Sequence, residues 1–220
     1  MAQKIIIFGL GDMAEIAHFY FSQDKNIEIA AFTVDKEYID KSEFCNLPVI
    51  AFEEIEKTYS PNEYKMFIAV SYAKLNQVRT QKYTEAKDKG YSFVSYISPY
   101  ATVAENAQIG ENCFIFEDNT VQPFVKIGNN VTLWSGNHIG HHSVIEDNCF
   151  ITSHVVISGG CNIGEYSFIG VNATLRDHLQ IGKKCIIGAG AIIMSNTEEE
   201  SVYVPERTKP FGKKSSEVRL

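Results

Sequence analysis

Polar residues able to do chemistry concentrate in one short stretch, Trp134-Ser135-Gly136-Asn137-His138-Ile139-Gly140-His141-His142-Ser143, which holds three of the six histidines and the single tryptophan. An imidazole of ordinary basicity, pKa near ~6.5, is neutral at cellular pH, so such a ring can take a proton from a nucleophile and return it to a leaving group. A histidine at a turn is as readily a solvated surface residue, and residue type alone leaves both readings open. Asn119 and Asn137 are 18 residues apart. A buried amide needs partners, so this pair is either a structural ladder or part of a hydrogen-bonded site. A second candidate lies near the start, in Gly9-Leu10-Gly11-Asp12-Met13-Ala14, followed two dozen positions later by Asp35. Glycines there let the backbone approach a diphosphate at a helix N-terminus, and an acid after the second strand can bind ribose or base. The plainer reading of the same residues is a tight strand-to-helix turn with Asp12 as N-cap.

Two kinds of element must position these groups. Every sixth residue from Ile97 to Ile193 is Ile, Val or Leu, and the next is often glycine, as at Gly110, Gly128, Gly140, Gly164, Gly170, Gly182 and Gly188. Neither a helical period nor a two-residue alternation produces that pattern. Four residues after each aliphatic comes a second column of mostly small residues, including Ala107, Cys113, Ser143, Cys149, Cys161, Ala173 and Cys185. A short strand and a turn on a six-residue beat wind into a solenoid whose coils stack aliphatic on aliphatic.

Before the repeat, the chain reads as alternating strands and helices. Lys4 to Phe8 is a strand, and Ile16, Ala17, Tyr20 and Phe21 have helical spacing. Ile27 to Val34 and Pro48 to Ala51 read as strands, Glu53 to Tyr59 as a short helix, Lys65 to Ser71 as a strand, and Leu75 to Lys89 as a helix stopped by Gly90. This order predicts a small α/β domain with a mainly parallel sheet. With about five strands it lacks a second mononucleotide-binding half, so a single nucleotide diphosphate suits it better than a dinucleotide.

The unbroken [Ile/Leu/Val]-Gly-x-x-small-x repeat resembles that of the left-handed parallel β-helix acyltransferases. It is similar to the nucleotide-sugar acetyltransferases of bacterial polysaccharide and glycan pathways, among them the bacillosamine-pathway and perosamine N-acetyltransferases and the sialic acid O-acetyltransferase group. The fold this implies is an α/β N-terminal nucleotide-binding domain followed by a left-handed parallel β-helix of hexapeptide repeats. The division is 1–95 for a Rossmann-like nucleotide-sugar-binding domain, 96–195 for the β-helix and 196–220 for a C-terminal capping tail. The resemblance further implies three hexapeptides per coil, so that residues 18 apart lie on neighbouring coils, and homotrimers with active sites between subunits.

Residue by residue, His141 matches the family's catalytic histidine, two positions after the aliphatic of its hexapeptide. Gly159, one coil further on, matches the position whose backbone N–H meets the acetyl carbonyl, and a donor facing a developing oxyanion lowers the barrier by several kcal/mol. Many relatives follow the histidine with Glu or Asp; His142 stands here instead. That leaves Asn137, a backbone carbonyl or an acid of a neighbouring chain to orient the base. The candidate catalytic set is His141, Gly159, Asn137 and His142. Gly170, Asn172, Gly188, Ala189 and Gly190 match positions along which the pantetheine arm of acetyl-CoA lies. Gly9, Gly11 and Asp35 carry over as nucleotide-sugar-binding residues. Asp12 and Met13 stand where the family's Gly-His is usual, and Lys36 replaces a frequent second acid.

Composition bounds the alternatives. A net charge of −7 gives no electrostatic footprint for nucleic acid or an anionic membrane. The run Ile5 to Leu10 is too short for a membrane or signal segment, and a cytoplasmic protein is expected. Of five cysteines, Cys113, Cys149, Cys161 and Cys185 fall in the small-residue column and read as buried packing residues. Zinc-dependent β-helix hydratases need histidines five apart; none here are, His154 and His178 included, so no metal is expected. His18 reads as an ordinary surface residue. The basic stretch Pro210 to Leu220, with Lys209 before it, is expected to cover the open end of the solenoid, with Lys209, Lys213 and Lys214 placed to meet CoA phosphates. The expected function is acetyl-CoA-dependent N-acetylation of a nucleotide-linked amino sugar, a 4-amino-4,6-dideoxy sugar, without metal. O-acetylation on the same scaffold and a non-catalytic β-helix binding protein are the alternatives.

Overall fold

A computed structural model describes residues 2–210 and 212–218. Runs of Ile, Val and Phe form the first sheet. Its members in chain order are Gln3–Phe8 (β1), Ile27–Val34 (β2), Glu43–Phe44 (β3), Leu47–Ala51 (β4) and Lys65–Ile68 (β5), joined by helices Asp12–Phe21 (α1) and Gln77–Asp88 (α2). The spatial order is β3-β4-β2-β1-β5, parallel throughout except for the β3–β4 hairpin. Alternation along β1 splits the core in two: Ile5 and Ile7 pack with Ala14, Ala17 and Phe21 of α1, whereas Ile6 and Phe8 pack with Phe52, Tyr83 and Ala86 on the opposite face.

Local departures from the expected elements have physical causes. Helix α1 is capped by Gly11, with no side-chain cap bond, so Asp12 is its first residue and not its N-cap. Helix α2 begins at Gln77 because Lys74, Leu75 and Asn76 are left-handed, with φ of 49°, 52° and 65°. The short helix expected from Glu53 is a 3₁₀ turn, Phe52–Lys57, and β5 stops at Ile68, three residues early.

From Tyr96 the backbone makes two-residue strands on a six-residue beat. They form three parallel sheets: a first face from Tyr96–Ile97 to Val202–Tyr203, a second from Thr102–Val103 to Ile192–Ile193, and a third from Gln108–Ile109 to Gln180–Ile181. Up to Ile193 each strand pairs with the one 18 residues on, as Thr120 with His138 and Lys126 with Val144, and the final pair, Ile186 with Val202, is 16 apart. The repeated aliphatic points inward, and from Ile115 to Ile193 none is more than 5% exposed. Ile97, at the open first coil, is 41% exposed, because no coil lies before it.

The two parts are locked together by polar and aromatic contacts. Arg79 of α2 is fully buried against the solenoid: its guanidinium donates to Asn130 Oδ1 at 3.2 Å and to the carbonyls of Asn130, Asn148 and Cys149 at 3.1–3.3 Å. Burial pushes its pKa down to about 10, which leaves it charged at neutral pH. Asn112, Asn130 and Asn148, one per coil, pass side-chain hydrogen bonds up the same edge at 2.7 and 2.8 Å. On α1, Tyr20 packs on Phe114 and Phe116 and donates to Glu117 at 2.8 Å.

At the far end, Val202–Tyr203 pairs with Ile186–Ile187 and so continues the first face. Beyond it, residues 206–210 and 212–218 are exposed. Lys209, Lys213 and Lys214 are among these exposed residues; Phe211, Arg219 and Leu220 lie outside the described residues.

Candidate active site

The glycine turn after β1 opens a cavity of about 720 Å³ lined by Gly9, Gly11, Asp12, Asp35, Tyr72 and Lys82, with Trp134 of the solenoid at its edge. Gly9 has φ +124°, and a Cβ there would lie 2.8 Å from the Ala69 carbonyl oxygen, so the turn admits only glycine. Its N–H already donates to the Thr33 carbonyl at 2.9 Å. Gly11 has no neighbour within 4 Å of a Cβ position, and its carbonyl accepts from the Ala14 and Glu15 N–H groups at 2.8 and 3.1 Å as the helix begins. Asp35, reached as expected at the end of β2, ion-pairs with Lys82 at 2.7 Å. Burial opposes the Lys82 charge, but hydrogen bonds to Asp35 and Glu85 outweigh it and hold the ammonium above the ordinary lysine value. Lys82 and Tyr72 were not legible as site residues. The first looks like one more charge on a polar helix, and the second is brought in only by its packing on Phe150 and Phe168.

Solenoid residues divide between two edges. Trp134, Gly136, Asn137, Gly170, Asn172, Gly188, Ala189 and Gly190 fall where the first face turns into the second. There Trp134 stacks on Phe116 at 4.6 Å and 4°. A Cβ on Gly170 would lie 2.5 Å from Ala189 N, and one on Gly188 would lie 2.9 Å from the Tyr203 carbonyl oxygen. Asn172 and Gly190 are left-handed, with φ of 59° and 74°, and Ala189 is exposed.

His141, His142, Gly159 and Gly160 lie on the next edge, where the second face turns into the third. The exposed His141 ring sits beside Gly159: a Cβ there would lie 2.6 Å from its Cε1 and 2.7 Å from its Nε2. Gly159 therefore has a steric reason to be glycine, and its N–H has no acceptor among the described residues. The His141 N–H donates to Gln122 Oε1 at 2.9 Å, and His141 Nδ1 is 3.1 Å from His142 Nδ1.

Asn137 corrects the sequence reading. It is buried inside the coil, its Oδ1 accepts from the Val155 N–H at 2.8 Å, and its amide nitrogen donates to the Trp134 carbonyl. Asn119 donates to the same carbonyl from the other side, at 2.8 Å. With its amide bonded to backbone inside the coil, on the edge of Trp134 and not on that of His141, Asn137 belongs to a ladder and does not orient the base. The neighbour that does reach the His141 ring is His142, the last member of the candidate catalytic set. Of the other histidines, His154 covers Gly136 and His178 covers Gly160, each ring taking the space a Cβ would need. Among the described residues no group of three or more His, Cys, Asp or Glu is placed to hold a metal.

The family profile described as "Bacterial transferase hexapeptide (six repeats)" matches residues 124–159 and 160–195. The solenoid thus carries two consecutive matches to that profile. Its second match begins at Gly160, so the two matched blocks meet between the paired glycines of the histidine edge. Comparison with curated proteins gives no match. Among solved structures, the acetyltransferase domain of PglB from Neisseria gonorrhoeae is 24% identical with a TM-score of 0.81, over 91% of this chain and 95% of that one. A perosamine N-acetyltransferase mutant from Caulobacter crescentus, solved with CoA and GDP-perosamine, is 20% identical with a TM-score of 0.82, over 96% of this chain and 99% of that one. WeeI from Acinetobacter baumannii is 17% identical with a TM-score of 0.71, over 91% and 96%. These likenesses fix the fold of the whole chain: the hexapeptide domain is a left-handed β-helix carrying an α/β domain on its first face. No helix among the described residues is long and apolar enough to cross a membrane.

Proposed function

We propose that this protein is an acyltransferase that moves the acetyl group of acetyl-CoA to the amine of a nucleotide-linked amino sugar, in bacterial surface-glycan biosynthesis. The observation that carries the reading is the pairing of His141 with Gly159: an exposed imidazole fills the space beside a glycine whose backbone N–H has no acceptor among the described residues. In such an arrangement His141 Nε2 accepts the amine proton as nitrogen attacks the thioester carbonyl. The Gly159 N–H donates to the oxygen as it gains negative charge, and the imidazolium returns the proton to the departing thiolate. No covalent intermediate on the protein is needed. The perosamine enzyme, of the same fold, was solved with CoA and GDP-perosamine, which supports both substrate classes.

In the α/β domain, Gly9 and Gly11 shape the cavity for the nucleotide and Asp35 faces its ribose or base. Lys82 is the cation lining that cavity among the described residues, and it offsets the carboxylates of Asp12 and Asp35 against a diphosphate. Gly170, Asn172 and the Gly188-Ala189-Gly190 run offer backbone along the pantetheine arm.

One chain does not bring these parts together. The nucleotide cavity and the pantetheine residues share the edge of Trp134, whereas His141 and Gly159 sit on the next edge and do not line the cavity. A second copy that presents its histidine edge to the Trp134 edge completes the site, and a cyclic trimer satisfies all three copies at once. This supports a homotrimer with active sites between subunits.

The test is release of free thiol from acetyl-CoA across UDP-, dTDP- and GDP-linked amino sugars, 4-amino-4,6-dideoxy sugars included, with hydroxyl-only sugars beside them. Turnover of an amino sugar that falls by at least about 10²-fold in His141→Ala is the expected result. Turnover of hydroxyl sugars alone would move the assignment to O-acetylation, and none at all to a binding protein.

A further inference from the structure

In most settings a catalytic imidazole is held by a carboxylate, yet among the described residues neither ring of this pair hydrogen-bonds or ion-pairs with a charged side chain. Phe124 and Gly159, which face the rings, carry no titratable group. What faces His141 is His142, with the two Nδ1 atoms 3.1 Å apart and the rings nearly perpendicular at 86°. A contact of that length between two ring nitrogens holds one proton: one nitrogen must donate and the other accept. We propose that His142 is the positioning residue of this site, a neutral imidazole whose Nδ1 accepts the His141 Nδ1–H and so keeps the His141 Nε2 lone pair free as the base. The inference rests on the reading of His141 as general base.

Three observations give the pair this direction. The His141 ring lies on Gly159, with its Nε2 close over the glycine whose N–H is open. The His142 ring is turned away and stacked on Phe124, with centroids 4.6 Å apart and 28° between planes. His142 is left-handed, φ 60°, in a column whose neighbouring positions Phe124, Gly160 and His178 are left-handed as well, so the backbone fixes where its ring begins. Two faces of support, the stack and the strained backbone, hold an acceptor in place.

The proton bookkeeping closes on the two rings. In the resting pair, His141 carries its hydrogen on Nδ1 and His142 carries its own on Nε2. The amine proton goes to His141 Nε2 and from there to the thiolate sulfur, while the Nδ1–H···Nδ1 bond persists and His142 takes no proton. Protonation of His142 puts a hydrogen on both its nitrogens, which forces His141 Nδ1 to become the acceptor and moves the His141 hydrogen onto Nε2. The base is then lost without having reacted.

The experiment compares intact wild type, His142→Phe and His142→Asp. Phenylalanine is tolerated at this backbone position one coil earlier, as Phe124, and keeps the stack; aspartate tolerates the left-handed region and restores an acceptor. Nitrogen-15 NMR of labelled histidine is expected to show His141 protonated on Nδ1 in wild type and on Nε2 in His142→Phe. In the acetyl-transfer assay His142→Phe is expected to lose roughly 10- to 100-fold in kcat with both KM values within about twofold. His142→Asp is expected to recover that loss, and its acid limb in kcat/KM moves to higher pH because a carboxylate favours imidazolium. Wild-type kcat in His142→Phe, or a His141 hydrogen on Nε2 in the wild type, overturns the proposal. Should no amino sugar be turned over by the wild type, the base assignment fails while the tautomer measurement still decides whether His142 holds His141.

Discussion

Gly159 carries the sharpest single-residue prediction. A methyl group there would occupy space 2.6–2.7 Å from His141 Cε1 and Nε2, and those atoms belong to an exposed ring that can swing aside. Gly159→Ala is therefore expected to melt within a few degrees of wild type while kcat drops on the order of 10²-fold, since the base is displaced and the N–H is screened. Thermal denaturation and steady-state kinetics on one preparation check both halves. A large loss of stability with unchanged kcat per folded molecule would mean that the glycine serves only the turn. Two cysteines of the small-residue column behave oppositely: burial pushes the Cys113 and Cys149 thiols up to about 12, so they are poor nucleophiles at neutral pH.

At the level of elements, the junction between α/β domain and solenoid rests on two side chains that sequence patterns do not mark. Arg79 has no carboxylate partner among the described residues and is satisfied by Asn76, Asn130 and four backbone carbonyls. Arg79→Met leaves those acceptors buried and unmet, a cost on the order of 3 kcal/mol that a lowered urea midpoint would register. Glu117 accepts from Tyr20 at 2.8 Å and Ser135 at 2.7 Å. Burial raises its pKa, but those bonds and a backbone one outweigh it, and the carboxyl ends below its ordinary value. A depressed folded-state pKa gives stability that is present above the unfolded pKa, near ~4.3, and is lost as pH falls through the folded one. Glu117→Gln is thus expected to lower the melting temperature at pH 7, with the gap to wild type closing below about pH 4. A gap independent of pH would assign the contact to shape alone.

For the whole molecule, the division of the site between two edges makes a prediction no single chain can satisfy. His141→Ala copies retain the nucleotide cavity, and Asp35→Ala copies retain the histidine edge. Co-assembled from denaturant, the two inactive variants are expected to regain activity, because some interfaces then join an intact cavity to an intact base. In a random mixture of equal parts about a quarter of interfaces qualify, so recovery approaching 25% of wild type is the expected ceiling. No recovery in mixtures shown to exchange subunits would place the complete site within one chain.

Read from its residues alone, the chain determined the solenoid. A six-residue column of aliphatics has only one way to bury itself, by stacking coil on coil, and each hydrogen-bonded strand then pairs with the one 18 residues later. The glycine turn, Asp35 at the end of β2 and the juxtaposition of His141 with Gly159 follow from spacing in the same way, since a fixed coil length converts sequence separation into neighbourhood. Tertiary structure decided what spacing cannot express. Asn137 shares its column with Ala, Cys and Val as well as with Asn119, and only the folded coil shows its amide bonded to backbone on both sides. The partnership of His141 with His142 depends on a left-handed backbone and a stack on Phe124, neither of which a repeat pattern encodes. Tyr72 and Arg79 act where the α/β domain rests on the solenoid, a docking set by side-chain shape and buried hydrogen bonds between segments 50 or more residues apart, and Lys82 reaches Asp35 only once α2 has packed beside β2. Periodicity is a local property and survives in one dimension; the meeting of two surfaces is not, and it exists only once both have folded.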